Sequence, residues 1–479
     1  MAHIQNSSPA SLGTESIGKL LIQYSGPAII ASVATSLYNI VDSIFIGQGV
    51  GPMAIAGLAI TFPLMNLVIG FCTLIAVGGA TISSIFLGQK NYNRATITVN
   101  TVMVLCIIHS FVFGTLTYIY LKPILHLFGA TPETSPYAEE FMKVILIGAP
   151  IAYVFIGLNN IMRATGYPKK AMMSALLSVL ANIILAPIFI FKLEWGIAGA
   201  AWATVGGQSI ALIWVLCHFL SKKSFIHFDF KAGFFDVPVI KRIYAIGLSP
   251  FLMNCCACFV VVFLNKSLLH YAGDMGNIAV GAYGILNRTT MFFVMIVFGV
   301  TQGMQPILGF NIGARKWDRV RSTLYKGIWT GVGICSVGWI LSMTIPDTLS
   351  SMFTKDATMI AMARTAYRVY FVIYPVVGAQ IVIQNYFQSI GKPKISIFLS
   401  LTRQLLFLLP MLYVLPKYYG VDGVWASMTA SDGLAFAVAV IVLWYTSRKF
   451  AKEYSNTNAQ DNPIAGEARN SLPGATSED

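Results

Sequence analysis

Two acidic residues stand where a carboxylate is costly. Asp42 and Asp432 each lie inside a long apolar run, whereas nearly all of the other acidic residues lie in polar stretches. A carboxylate at the depth of a membrane normally faces a cavity or an ionic partner and has a function there. The two positions are therefore the candidate sites at which this chain could bind a proton or pair with a cation.

Asp42 is the stronger candidate, because polar neighbours share its side of a helix. Thr35, Tyr38 and Asp42 are spaced i, i+3 and i+7, which places them on one face of an α-helix. Desolvation favours the protonated form of a buried carboxylate, so Asp42 could exchange a proton near neutral pH. The alternative is a carboxylate that only hydrogen-bonds a neighbouring helix. Pro27, earlier in the same run, removes a backbone hydrogen bond and permits a bend.

Asp432 allows two interpretations of equal weight. It could titrate as Asp42 could, or it could pair with Arg403 or Arg288, both in neighbouring apolar runs. A pair of that kind would be a buried structural ion pair and not a titrating site.

Other polar side chains form stripes at helical spacing in both halves of the chain. The stripes are Ser174, Ser178 and Asn182; Thr204 and Gln208; Tyr283 and Asn287; and Gln380, Gln384 and Gln388. Ser and Thr in membrane helices often only pack or bond to their own turn. We nevertheless expect these stripes to contribute to a substrate cavity, with Thr35, Ser178, Gln208, Tyr283, Asn287, Gln380 and Gln384 lining it.

The motifs of enzymes are missing from the sequence. It contains no G-x-x-x-x-G-K-[ST] phosphate loop, no H-E-x-x-H and no nucleophile elbow. The seven cysteines fall inside apolar runs, and we interpret Cys255, Cys256 and Cys258 as packing residues. We therefore expect no enzyme activity, no cofactor and no bound metal, and any transport would have to draw on an ion gradient.

The elements that position these residues are membrane helices. The chain is 56% hydrophobic and 11% charged, with a mean hydropathy of +0.70, whereas a soluble domain carries roughly 25% charged residues. Apolar runs of about 20 residues predict twelve helices, near 18–46, 54–86, 97–121, 138–163, 170–192, 198–220, 241–269, 278–308, 321–345, 360–389, 395–416 and 423–446.

The second half of the chain repeats the first about 224 positions later. Pro27 pairs with Pro250 and Gly78 with Gly303, and W-G-I-A-G-A-A-W at 195–202 matches Y-G-V-D-G-V-W-A at 419–426. Each half supplies six helices, so the halves run parallel in the membrane. We predict an all-α membrane protein with twelve transmembrane helices in two pseudo-symmetric six-helix lobes, which acts between the lobes.

Basic residues set the expected orientation. They follow the even-numbered helices, as Arg163 follows helix 4, and they fill the stretch between the halves. The positive-inside rule then places both termini in the cytoplasm and accounts for the net charge of +13 without nucleic acid. We expect a polar N-terminal segment at 1–16, an N-lobe at 17–220 (helices 1–6), a cytoplasmic linker at 221–240, a C-lobe at 241–450 (helices 7–12) and a disordered cytoplasmic tail at 451–479.

Several stretches resemble the multidrug and toxic compound extrusion (MATE) family, over about residues 17–450. They are P-A-I-I-A-S-V-A-T-S-L-Y-N-I-V-D-S-I-F-I-G at 27–47, G-Q-K-N-Y-N-R-A at 88–95, N-N-I-M-R-A-T-G-Y-P-K at 159–169, G-F-N-I-G-A-R at 309–315 and N-Y-F-Q-S-I-G-K-P-K at 385–394. The chain is most similar to the prokaryotic branch whose coupling acid lies on helix 1.

The resemblance implies an antiporter that exports bulky, often cationic and aromatic compounds by alternating access, driven by protons or sodium. It implies a multi-pass protein of the cell inner membrane, and we expect a monomer. The helix 1 acid of the branch falls at Asp42, and its companions fall at Asn182 and Thr204; Tyr38 is the fourth expected cation-coupling residue.

The chain departs from that branch at Ala186, where the resemblance predicts a second acid on helix 5. Without this carboxylate a sodium site has one charged oxygen ligand fewer, so we favour protons over sodium. The alternative function is a flippase of a lipid-linked saccharide, which the same superfamily includes. The peptidoglycan-precursor type would be expected to have two further helices and a strongly cationic cavity.

Overall fold

The computed structural model describes residues 9–221, 224–229 and 231–461. Its membrane helices are α1 (Ile17–Gly49), α2 (Pro52–Gly88), α3 (Tyr92–Ile119), α4 (Ser135–Ala164), α5 (Pro168–Lys192), α6 (Gly196–Leu220), α7 (Val237–Tyr271), α8 (Gly276–Gly313), α9 (Trp317–Thr344) and α10 (Ala357–Ser389). The last apolar span, Pro393–Arg448, is interrupted at Gly420 (φ 57°, ψ −135°), which divides it into α11 (393–419) and α12 (421–461). Within the described ranges no residue is in a β-strand. The predicted fold class is thus confirmed.

Some elements differ in detail from the predicted ones. Short helices Leu121–Leu127 and Pro346–Ser351 follow α3 and α9. They are too short to register as membrane spans in the sequence. The helix α12 continues to Asp461, and the part of the expected tail at 462–479 lies outside the described residues.

The duplication is visible in the turns as well as in the helices. Gly166 and Gly391 have φ values of 105° and 72°, and each precedes a helix that begins at a proline. Lys90 and Arg315 occupy equivalent turns after α2 and α8, with φ values of 58° and 56°. Glycine adopts positive φ at low cost, which explains why the first pair recurs in both halves.

Each lobe has its own hydrophobic core, but the first helix of each lobe begins in the core of the other. Leu20 and Tyr24 of α1 are fully buried among side chains of the C-lobe. Likewise, Val239 and Ile243 of α7 are buried among side chains of the N-lobe. The lobes are therefore interlocked at the end where α1 and α7 begin.

Close backbone contacts hold the lobes together at this end, where α1 packs on α8 and α2 packs on α7. We call these two contacts the seam. A Cβ atom at Gly247 would lie 1.7 Å from the carbonyl oxygen of Leu74, and one at Gly78 would lie 2.2 Å from that of Ile243. A Cβ atom at Gly303 would lie 2.5 Å from the backbone nitrogen of Ser25. Only glycine permits this approach.

The segments that precede α1 and α7 cross the seam too. Arg319 of α9 donates through Nη2 to the carbonyl oxygens of Leu12, at 3.0 Å, and Glu15, at 2.6 Å. On the other side, Asn100 of α3 donates through Nδ2 to the carbonyl oxygen of Asp229, at 2.7 Å. Each lobe therefore holds the lead-in segment of the other lobe's first helix.

Candidate functional site

Asp42 lies in the part of α1 that has left the seam. Before Pro27 the helix packs on the C-lobe, where Ser25 Oγ donates to the carbonyl oxygen of Val300 at 3.2 Å. The contact with the C-lobe continues past Pro27, since a Cβ atom at Gly299 of α8 would lie 2.7 Å from the Cα atom of Ile29. Further along, α1 packs on α5, where the Phe45 and Phe191 rings meet edge to face with centroids 6.3 Å apart. Pro27 thus lies in the segment of α1 that is anchored on the C-lobe, ahead of the segment with Asp42 that packs on the N-lobe.

The Asp42 carboxylate is enclosed and incompletely bonded. The residue is 8% exposed, and its Oδ1 accepts no hydrogen bond from the described residues. Tyr38 is half-buried one turn earlier on the same face, whereas Thr35 is exposed and donates to the carbonyl oxygen of Ala31 at 2.8 Å. A buried carboxylate oxygen without a donor is costly when charged, and protonation relieves that cost.

Asn182 of α5 and Thr204 of α6 are joined by a hydrogen bond. Asn182 is buried and donates through Nδ2 to Thr204 Oγ1 at 3.1 Å. The two helices can approach because Gly207 faces the carbonyl oxygen of Ser178, at 2.5 Å from where a Cβ would lie. The structure therefore joins Asn182 to Thr204 and holds Asp42 on the adjacent helix α1, since α1 packs on α5.

Ala186 lies one turn beyond Asn182 and is fully buried in the core of the N-lobe. Ser178 and Gln208 are half-buried on α5 and α6. No three His, Cys, Asp or Glu side chains in the described ranges gather as a metal site would require. Whether this polar group takes part in cation coupling stays a prediction.

Asp432 is fixed in an ion pair with Arg403. Arg403 Nε donates to Asp432 Oδ1 at 2.5 Å, and Tyr370 donates to Asp432 Oδ2 at 3.3 Å. Asp432 is 2% exposed, so the acidic member of the pair is buried, whereas Arg403 is half-buried. Arg288, the other partner considered, is exposed and lies over the ring of Phe353 at 5.7 Å.

The polar residues predicted to line a cavity in the C-lobe lie on α8 and α10, and one of them makes a hydrogen bond between helices. Gln384 donates through Nε2 to Ser400 Oγ at 2.7 Å and so ties α10 to α11. Gln380 is buried, and its Oε1 accepts no hydrogen bond from the described residues. Tyr283 is buried, and Asn287 is half-buried. Their assignment to a substrate cavity remains a prediction.

Arg163 contacts the other lobe, which its position at the end of predicted helix 4 did not indicate; there it served only as a marker of topology. Arg163 is 8% exposed in the last turn of α4 and donates to Gln302 of α8, across the lobes, and to Asn159 Oδ1 at 3.3 Å. Gln305, one turn after Gln302, donates to Thr81 Oγ1 at 2.7 Å. The turn at Gly166 after the helix was the signal that Arg163 still belongs to it.

Comparisons with known proteins all point to one family of membrane transporters. The family model described as MatE matches residues 27–188 and 251–414, one match in each half. Multidrug export protein MepA of Staphylococcus aureus (strain N315) is 25% identical over 427 residues, which cover 89% of this chain and 93% of that protein. The protein of the same name from Staphylococcus saprophyticus is 27% identical over 89% of this chain and 94% of its own length.

Solved structures give the same result. The MATE multidrug transporter DinF-BH, solved as a complex, is 34% identical, with a TM-score of 0.82 over 90% of this chain and 96% of that chain. A MATE family transporter of the MOP superfamily in an outward-facing conformation shares the fold, with a TM-score of 0.86 at 23% identity over 94% of this chain and 99% of that chain. Because the family model covers most of both lobes, this chain belongs to the MatE family of membrane transporters.

Proposed function

We propose that this protein is a multidrug efflux antiporter driven by protons that bind at Asp42. The observation that carries the proposal is the difference between its two membrane acids. Asp42 has an enclosed oxygen without a hydrogen-bond donor, whereas Asp432 is held by Arg403 and Tyr370. Asp42 can change its charge without breaking an ion pair, whereas Asp432 cannot.

The substrates proposed are bulky, often cationic and aromatic compounds. Support comes from relatives named as multidrug export proteins and from a solved relative named as a multidrug transporter. A cation near the charged form of Asp42 would be held more tightly than one near the neutral form. Neutralising one of two charges about 6 Å apart changes their interaction by about 3 kcal/mol at an effective dielectric of about 20.

The proposed transport cycle uses the geometry of α1. Protonation of Asp42 would remove the negative charge from the segment of α1 that packs on the N-lobe. Pro27 would then let this segment bend relative to the segment of α1 that is anchored on α8. The bend would reshape the space between the lobes and release the substrate. Pro250, at the equivalent point of α7, is placed to accompany the same movement.

Orientation follows from the charges at the seam. The basic residues concentrate at the end where α2 and α8 finish, so we place that end, with both termini, on the cytoplasmic side of the inner membrane. The seam would then close the cytoplasmic side and leave the space between the lobes accessible from outside. We propose a monomer that works with the lipid bilayer, small-molecule drugs and protons as its partners.

Transport in proteoliposomes tests the proposal. Uptake of a cationic dye is measured with an imposed pH gradient alone and with a sodium gradient alone. We expect dye transport to follow the pH gradient and to be unaffected by sodium. Transport driven by sodium alone would contradict proton coupling, and movement of a lipid-linked saccharide without movement of the dye would indicate the flippase instead.

A further inference from the structure

A cavity opens between the lobes at the seam end, away from Asp42. Its volume is about 430 Å³, and its lining comes from α2 on one side and from α7 to α11 on the other. It lies among helix ends: the last turn of α2, the first turns of α7 and α9, and the turn between α10 and α11. It is therefore at the level where a membrane helix meets the lipid headgroups.

The lining of this cavity is amphipathic, with cations but no acids. Arg242 and Lys392 are its charged members, and both are exposed at its rim. The floor is apolar and includes Ile85, Phe86 and Ile246. None of the lining residues is acidic.

Two aromatic features fit the same environment. Trp317 lines the cavity at the first residue of α9, and tryptophan is enriched at the boundary between membrane and water. Arg94 lies over the ring of Phe86 at 5.8 Å, which adds a third cation beside the α2 wall. Asp318, the acid next to Trp317 in the chain, is exposed and does not line the cavity.

We propose that this cavity binds the headgroup and the first acyl carbons of an anionic phospholipid. A phosphate between Arg242 and Lys392 would be matched in charge, and the apolar floor would accept the chain below it. The volume falls in the range of ordinary ligand pockets. Because α2 belongs to one lobe and the remaining walls to the other, a bound lipid bridges the lobes and stabilises the closed seam. This site is independent of which ion drives transport.

Native mass spectrometry and thermal unfolding in detergent test the site. The probes are phosphatidylglycerol, phosphatidylcholine and inorganic phosphate, and the variant is Arg242→Gln with Lys392→Gln. The matched control is Lys241→Gln with Lys394→Gln, which removes the same charge from exposed neighbours that do not line the cavity. We expect phosphatidylglycerol to stabilise the natural protein more than phosphatidylcholine does. The lining variant should bind phosphatidylglycerol about 30-fold more weakly, because two basic residues are lost.

A third variant examines the apolar floor without changing charge. Ala245→Phe places a ring inside the cavity and should weaken phosphatidylglycerol binding while the protein remains folded. Equal loss in the control pair would show a general surface attraction and overturn the site. Stabilisation by inorganic phosphate equal to that by phosphatidylglycerol would overturn the assignment to a lipid, as would unchanged binding to the lining variant.

Discussion

Gly247→Ala is predicted to open the seam. The new Cβ would lie 1.7 Å from the carbonyl oxygen of Leu74, where real Cβ contacts are at least 3.0 Å, so α7 and α2 must separate by at least 1.3 Å (3.0 minus 1.7). Overpacking of this kind costs about 1–3 kcal/mol. The cost falls on the closed seam alone, so the ratio of closed to open molecules should fall by about 5- to 150-fold.

The gain in helix propensity does not offset this cost. Alanine is better than glycine in a helix by about 1 kcal/mol, but α7 is helical in both arrangements of the lobes. Gly284→Ala is the matched control, because Gly284 lies inside α8 with no atom within 4 Å of the added Cβ. Both variants gain the same propensity, and only one obstructs the seam.

The assay is a distance measurement between spin labels on Lys169→Cys and Lys394→Cys. These exposed residues occupy equivalent places at the starts of α5 and α11, in different lobes, and the exposed Cys217 is replaced by serine in every protein. Gly247→Ala should shift the distribution to longer distances, and Gly284→Ala should leave it unchanged. A folded Gly247→Ala protein with the natural distribution would refute the account of the seam.

Three other predictions concern single sites. Ala186→Asp places a carboxylate one turn from Asn182, so sodium should stabilise this variant against thermal unfolding. Strong stabilisation of the natural protein by sodium would show that the missing acid does not exclude sodium. Arg403→Gln leaves Asp432 buried without a cation and should destabilise the protein by about 3–5 kcal/mol; adding Asp432→Asn should recover most of the loss in denaturant unfolding. Pro27→Ala restores a backbone hydrogen bond and should lower initial rates for every substrate; a loss confined to one substrate would contradict its role as a hinge.

The sequence predicts the membrane helices and the duplication because both depend on local chemistry. Apolar runs of spanning length must become helices in a bilayer. The glycines at 166 and 391 recur because the same turn, at positive φ, precedes α5 and α11. Pro27 and Pro250 recur at equivalent positions inside the first helices of the two lobes.

The sequence does not predict contacts that depend on which helices become neighbours. Asp432 had two possible cations, and only the packing of α11 beside α12 selects Arg403. Gln384 follows a helical stripe but donates to Ser400, because α11 lies within reach of α10. The exchange of first helices between the cores leaves no local pattern, since Leu20 and Tyr24 are apolar or aromatic in either environment.

The most direct test of the central claim measures protons released when a substrate binds. The purified protein, in weakly buffered solution near neutral pH with a pH indicator, is titrated with a cationic dye. We predict that the natural protein releases protons and that Asp42→Asn binds the dye without release. The control is Asp274→Asn, which changes an exposed acid outside the membrane helices and should release protons as the natural protein does. Equal release from Asp42→Asn would show that the coupling proton resides elsewhere.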